Sequence, residues 1–356
     1  MTQLSQIYLV MLLITTLSGC TTVGYYSQAV SGHLSLMMST QPVTELLDAP
    51  STPPQLKQKL SVANDAREFA ENRLALPVGD AFSTYAELGR PWVIVNLVAA
   101  PEFSLEAHRW CYPVIGCQSY RGYYQLEKAR KEEQSFIDDG YDTFIGGVTA
   151  YSTLGWFDDP LHTGFTSLPD NRMVALMFHE LAHRVVYIDD DTAFNESFAT
   201  AVELEGLRLW LEQRDDREGF RSALARLQHR SQTLTLVETA SAQLETLYAQ
   251  RGTLPETELR QRKAQVFEQL QDNYRARSED WEQPGPLGED PQELNNANLA
   301  LFSQYNQYVP AFRQLIREKE TDFAAFYRAV EALSRQPEES RRQTLDQLGQ
   351  RFHEDL

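Results

Sequence analysis

The sequence predicts an α+β fold in which a small mixed sheet packs on one apolar helix and a mainly helical half follows. Three observations carry this. The β-branched runs lie in the first half of the chain, headed by Trp92–Ala100 (WVIVNLVAA). A strongly apolar helical pattern covers Asn171–Tyr187 and holds two histidines four residues apart. Beyond Gly206 the composition turns to Gln, Glu, Arg, Leu and Ala, residues that lose little freedom in a helix.

Taken in order, the first nineteen residues form a separate unit. Ile7–Thr16 is an apolar run too short to span a bilayer but long enough for a signal-peptide core. Leu17-Ser18-Gly19-Cys20 follows and resembles the lipobox of bacterial lipoproteins. That resemblance implies cleavage before Cys20, acylation of its thiol, and anchoring to a membrane by lipid. The stretch before Ile7 carries no Lys or Arg, a departure from the signal-peptide pattern. Thr21 stands where Asp would signal inner-membrane retention, so the resemblance implies the outer membrane, facing the periplasm. An apolar helix-like stretch, Leu34–Met38, precedes a Pro-rich linker over Pro50–Pro54. Mixed charged and apolar residues at three-to-four spacing predict a helix over Leu56–Asn72. Ser119–Tyr124 and Asp142–Ser152 are further strand candidates. A second helix is predicted over Asn195–Trp210. Arg208–Asp280 breaks only near Arg251–Pro255 and predicts an antiparallel helical hairpin. A Pro/Gly segment, Gln283–Pro291, separates it from a last helical block.

The formal net charge of −18, with no basic cluster, excludes a nucleic-acid partner that works by neutralising phosphates. Of three cysteines, Cys111 and Cys117 flank a turn with Pro113 and Gly116. An exported chain meets an oxidising compartment, so a disulfide is expected there. Two thiolates without neighbouring His or Cys do not make a zinc site.

The chemistry concentrates in His179-Glu180-Leu181-Ala182-His183. Residues four apart share a helix face, so both imidazoles can reach one ion. Glu180 is turned by about one hundred degrees, which sets a carboxylate beside the open coordination position as a base for water. A third ligand is expected from Phe194-Asn195-Glu196-Ser197-Phe198-Ala199, opening the next helix after the acidic loop Asp189–Thr192. HELAH followed by NESFA resembles the gluzincin peptidases, whose third ligand is the Glu of an NExxA string. Glu196 lies thirteen residues after His183, closer than is usual in those enzymes, and Glu203 sits at the longer spacing on the same helix face. The Asn-Glu-Ser-Phe-Ala context favours Glu196. Glu203 or Glu205 is then left to hold a histidine N–H.

The strings GYYSQAVSGHLSL, YRGYY, GGVTAYSTLGWFDDPL, FHELAHRVVYIDDDTAFNESFATAVELEG, NNANLALFSQYNQYVPAF and FYRAV resemble a family of bacterial lipoproteins described as predicted aminopeptidases. That resemblance implies a gluzincin-like catalytic half over residues 56–206, after a signal peptide (1–19) and an anchor segment with linker (20–55). A helical region over 207–356 is expected to close the cleft. It implies one Zn2+ held by His179, His183 and Glu196, a peptide substrate, and aminopeptidase activity. An envelope endopeptidase and a catalytically silent zinc-binding scaffold are the alternatives, and a protein partner is not readable. Tyr305, ahead of Tyr308, is the expected oxyanion donor. Gly146–Trp156 is a candidate substrate-binding edge strand or a turn with core aromatics. Asp158-Asp159-Pro160 is expected to cap the following turn or meet a substrate's amino terminus. His108, His162 and His229 read as ordinary polar residues.

Overall fold

A computed structural model describes residues 24–112, 116–149, 158–189, 191–288, 291, 294–302 and 307–353. The expected signal peptide, Cys20, the segment 150–157 and Tyr305 lie outside the described residues. The chain opens with helix α1 (24–38). Strand β1 (Gln41–Pro42), helix α2 (Val43–Asp48) and helix α3 (Pro54–Leu74) follow. Pro54 starts α3 where its missing N–H costs no hydrogen bond. Ala75 ends it in the left-handed region, its N–H returning to the Ala70 carbonyl.

Two small sheets organise the middle of the chain. Strand β2 (Thr84–Ala86) pairs antiparallel with β1 and parallel with β8 (Leu161–His162), which makes a mixed sheet of order β1-β2-β8. Strand β3 (Ile94–Pro101) is the centre of an antiparallel sheet, between β6 (Arg121–Tyr123) and β7 (Tyr141–Val148). Helix α4 (Leu126–Asp138) buries Ala129 against Val95, Leu97 and Ala99 on one face of β3. On the other face, Val98 and Ala100 meet Ala297 of helix α10 (Asn296–Phe302). Cover on both sides explains why β3 reads as a continuous apolar run rather than an alternating one. Strands β4 (Trp110–Tyr112) and β5 (Gly116–Gln118) form a ribbon in which Cys111 and Cys117 face each other and are joined by a disulfide.

The largest core gathers around helix α6 (Asp170–Ala182) and helix α7 (Thr192–Glu212). Helix α5 (Thr163–Thr166) leads into α6. Phe178 of α6 stacks near Phe69 of α3 at 5.9 Å, and Trp210 of α7 meets Phe69 edge-on at 5.3 Å. The close approach turns on Gly206: a Cβ there would lie 2.8 Å from Leu74 Cδ1 and 3.0 Å from Phe178 Cδ2. The compositional boundary at Gly206 therefore falls inside α7, at the point where three helices touch. Tyr85 and Leu161 bring the mixed sheet into the same core, and helices α11 (Val309–Glu318), α12 (Phe323–Ser334) and α13 (Glu338–Arg351) complete it.

Helices α8 (Arg217–Tyr248) and α9 (Glu256–Ser278) form the expected hairpin, breaking at 249–255. It starts at Arg217 rather than Arg208, because α7 continues to Glu212 and Asp216 caps α8 by accepting from the Gly219 N–H. The hairpin has a core of its own, including Val237, Leu244, Leu259 and Phe267, which also takes in Phe103 and Leu299. Lys263 pairs with Asp142, and the Tyr248 hydroxyl donates to Asn296 at 2.8 Å.

Candidate metal centre

Helix α6 stops earlier than its apolar pattern suggests. It ends at Ala182 and His183 is its C-cap, so Arg184–Tyr187 turn away from the axis. His179 stays in the last turn, and the two rings lie 4.9 Å apart, nearly perpendicular. The Asn195 side chain then locks the returning loop: its amide donates to the Ile188 carbonyl at 2.7 Å and its carbonyl accepts from the Ile188 N–H at 2.9 Å. Asp191 caps α7 through the Phe194 N–H at 3.0 Å. The Asn immediately before the acid thus acts locally, closing the connection that delivers Glu196 to the end of α6.

The result is a convergence of three donors. His179 Nε2 and His183 Nε2 are 3.2 Å apart, and the Glu196 carboxylate lies 3.3 Å from the first and 3.7 Å from the second. Among the described residues, His179, His183 and Glu196 are the cluster whose ligand atoms all fall within 4.8 Å of one another. A tetrahedral zinc with nitrogen and oxygen ligands near 2 Å spaces its donors about 3.3 Å apart. The donor set and its spacing fit such an ion. Glu203, one heptad along α7, accepts from His179 Nδ1 at 3.0 Å. With an ion at Nε2, that bond would hold the remaining ring proton on Nδ1. His183 Nδ1 is buried and has no hydrogen-bond partner among the described residues.

Glu205 has a different role. Its carboxylate accepts from Arg313 Nε at 2.7 Å and from Arg208 Nε at 2.8 Å, with the Arg313 side chain only 2 % exposed. Burial opposes ionisation of Glu205, but the two guanidinium groups outweigh it and hold the carboxyl below its ordinary value.

The electrostatics of the cluster follow from bringing four ionisable groups together where solvent reaches them only in part. Burial pushes the Glu180 carboxyl up to about 7, with the charges of Glu196, Asp159 and Glu203 adding and His179 opposing. Burial and the neighbouring His179 lower His183 to about 4. Burial disfavours a charged Glu196, yet its bond to His179 and the charges of His179 and Arg230 hold it below the usual range. A carboxyl near 7 beside a histidine-rich donor set is suited to taking and returning a proton.

Other candidates are sorted by their neighbours. Asp158 faces Arg184 at 3.4 Å, and Asp159 shares an enclosed pocket with Glu180, Leu36 and His162. Neither caps the next helix. His162 does so, its Nδ1 accepting from the Gly164 N–H at 3.1 Å. His108 lies among Trp110, Phe136 and Tyr141, and His229 stacks on Trp281 at 4.1 Å. Gly146 and Gly147 sit on the edge strand β7, which ends at Val148. Tyr308 donates its backbone N–H to Ser197 Oγ, while its phenol is influenced by Asp346 and Asp191 rather than by the donor cluster. Two tyrosines not singled out by the sequence lie nearer. The Tyr187 ring is 6.3 Å from His183 and 48 % exposed. Tyr120, also partly exposed, has a phenol that feels the charges of Tyr187 and Glu196. Tyr187 follows His183 by four residues, but the helix ending between them hides the proximity from a periodicity argument.

Architecture and donor geometry together describe an α+β protein with a His2Glu cluster built on two adjacent helices. The chain belongs to the family described as "Putative aminopeptidase", whose match covers residues 24–345. No curated protein and no solved structure gives a significant match.

Proposed function

We propose that the protein is a zinc-dependent aminopeptidase of the bacterial envelope, lipid-anchored at Cys20 in the outer membrane and facing the periplasm. The observation that carries the enzymatic part is the spacing of His179, His183 and Glu196, joined by a half-buried Glu180 at the same helix end. These three residues would hold the ion, and Glu203 would orient His179. When bound, Zn2+ supplies Lewis acidity to the scissile carbonyl and to the water that attacks it. Glu180 accepts the proton of that water and passes it to the leaving amine. A phenol donates a hydrogen bond to the oxyanion, from Tyr120 or Tyr187 beside the cluster or, as the sequence suggests, from Tyr305. Asp159, on the Glu180 side, supplies negative charge suited to a substrate's amino terminus. The family membership supports the exopeptidase half of this reading.

The test uses the mature chain with aminoacyl-amide substrates and internally quenched peptides, with and without a chelator. Cleavage confined to the aminoacyl amides, lost with chelator and restored by Zn2+, is the expected result. Cleavage of the quenched peptides alone favours an endopeptidase, and full activity in Glu180→Gln removes the mechanism.

A further inference from the structure

Helix α1 lies outside the catalytic argument and carries an unusual surface. The chain holds 32 basic and 50 acidic side chains, yet none occurs before Glu45. Within this charge-free segment α1 has two faces. The inner one docks firmly: Gln28 and Leu36 are each 6 % exposed, and the Gln28 amide donates to the Gly122 carbonyl at 3.1 Å. Gly32 sits against the Tyr124 ring, where an added Cβ would come within 2.3 Å. The outer face presents Val30, Leu34 and Met38 at 56 %, 54 % and 86 % exposure. Spaced by four, these side chains form one stripe along the helix, flanked by exposed Ser27, Ser31, Ser35 and Ser39.

We infer that this outer stripe of α1 is a membrane-contact face that lies in the interfacial layer of a bilayer. A helix that offers three apolar side chains and no ion can enter the headgroup region without desolvating a charge. The net charge of −18 repels anionic lipid elsewhere on the molecule, so the neutral segment is where contact costs least. The stripe also starts ten residues after Cys20, close enough for an acyl chain there to hold it at the surface. A second copy of the chain is a poorer occupant. Two copies would each bring a charge of −18, and three side chains fall far short of the roughly 800 Å² per partner of a stable interface. Leu36, on the inner side of α1, lines the pocket that contains Glu180 and Asp159. Where the peptidase reading also holds, the catalytic base faces a pocket on the opposite side of α1 from the bilayer, and the substrates are membrane-proximal peptides.

The test separates this face from the acyl anchor. The mature chain with Cys20→Ser is mixed with vesicles of phosphatidylethanolamine containing a minority of phosphatidylglycerol, and bound protein is measured by flotation. Partition is expected to fall at least about tenfold in the triple variant Val30→Gln/Leu34→Gln/Met38→Gln, since Gln keeps the helix and removes the apolar area. Unchanged near-ultraviolet circular dichroism and zinc content show that the triple variant is folded. No partition by the parent, or equal partition by both, overturns the inference. So does sedimentation showing a parent dimer that the triple variant converts to monomer. Acylation of Cys20 is read independently from the mass of the amino-terminal peptide, and peptidase activity from the assays above, so failure of either is distinguishable.

Discussion

Helix α7 and the α8–α9 hairpin are both long and both carry arginine–carboxylate pairs, but the pairs lie in opposite environments. Around α7, Arg313–Glu205 has side chains 2 % and 4 % exposed, and Arg341 reaches Asp191 with both Nε and a terminal nitrogen. On the hairpin, Arg262–Glu258 and Arg275–Asp272 lie at the surface, about one turn apart on their own helix. The first kind joins elements distant in sequence, since Arg313 and Arg341 come from α11 and α13. The second kind supports only local helix. The C-terminal helices thus hold the helix that carries Glu196 at two points, while the hairpin's local pairs lie at its surface and Arg260–Glu102 and Lys263–Asp142 tie it to the sheet region.

Four sets of variants probe this contrast. The largest effect is expected at the cluster itself. Glu180→Gln should lower kcat roughly a thousandfold while zinc content, read by atomic absorption, stays at parent level. Glu196→Ala should lose both metal and activity, and a fully metallated, fully active Glu196→Ala protein would remove it from the ligand set. Next, Arg313→Ala leaves the buried Glu205 carboxylate without its main partner and should cost about 3–5 kcal/mol in denaturant unfolding. The double variant Arg313→Met/Glu205→Leu should recover most of that loss, because an apolar pair needs no compensating charge. Smaller again, Asn195→Ala frees the Ile188 backbone groups and should cost about 1–3 kcal/mol, with weakened zinc retention as the readout specific to the loop. Least of all, Arg262→Ala on the hairpin should change stability by about 0.5 kcal/mol or less. A cost there equal to that of Arg313→Ala would abolish the distinction.

The α7 pair also has a pH signature. Arg313 and Arg208 depress the folded-state pKa of Glu205, so its contribution is present above the ordinary carboxylate pKa and is lost as pH falls through the folded value. Wild type should therefore lose more stability than Arg313→Met/Glu205→Leu between neutrality and roughly pH 3, measured as the shift in denaturation midpoint.

Much of this organisation is legible locally. The histidine spacing, the Asn-Glu pair opening α7 and the break in the hairpin each depend on neighbours within a turn or two. The run over Trp92–Ala100 reads as a strand from its side chains alone. Helix α4 is easily passed over, because charged residues dominate its sequence and only Ala129 of its thirteen residues is buried. The two- and three-residue strands β1, β2 and β8 are too short to show a period and exist through pairing with distant segments.

The order of residues alone dictates that two histidines share one helix face, that an acid opens the next helix, and that residues before Glu45 carry no charge. These follow from helix periodicity, capping and composition, which act over short range. Which carboxylate meets which nitrogen is settled only when the chain packs. Glu196 and Glu203 lie seven apart on one face of α7, and both are within reach of a passing histidine. The close crossing of α6 and α7 at Gly206 sets the first at the Nε2 atoms and the second at His179 Nδ1. That choice belongs to long-range packing, which no local pattern encodes.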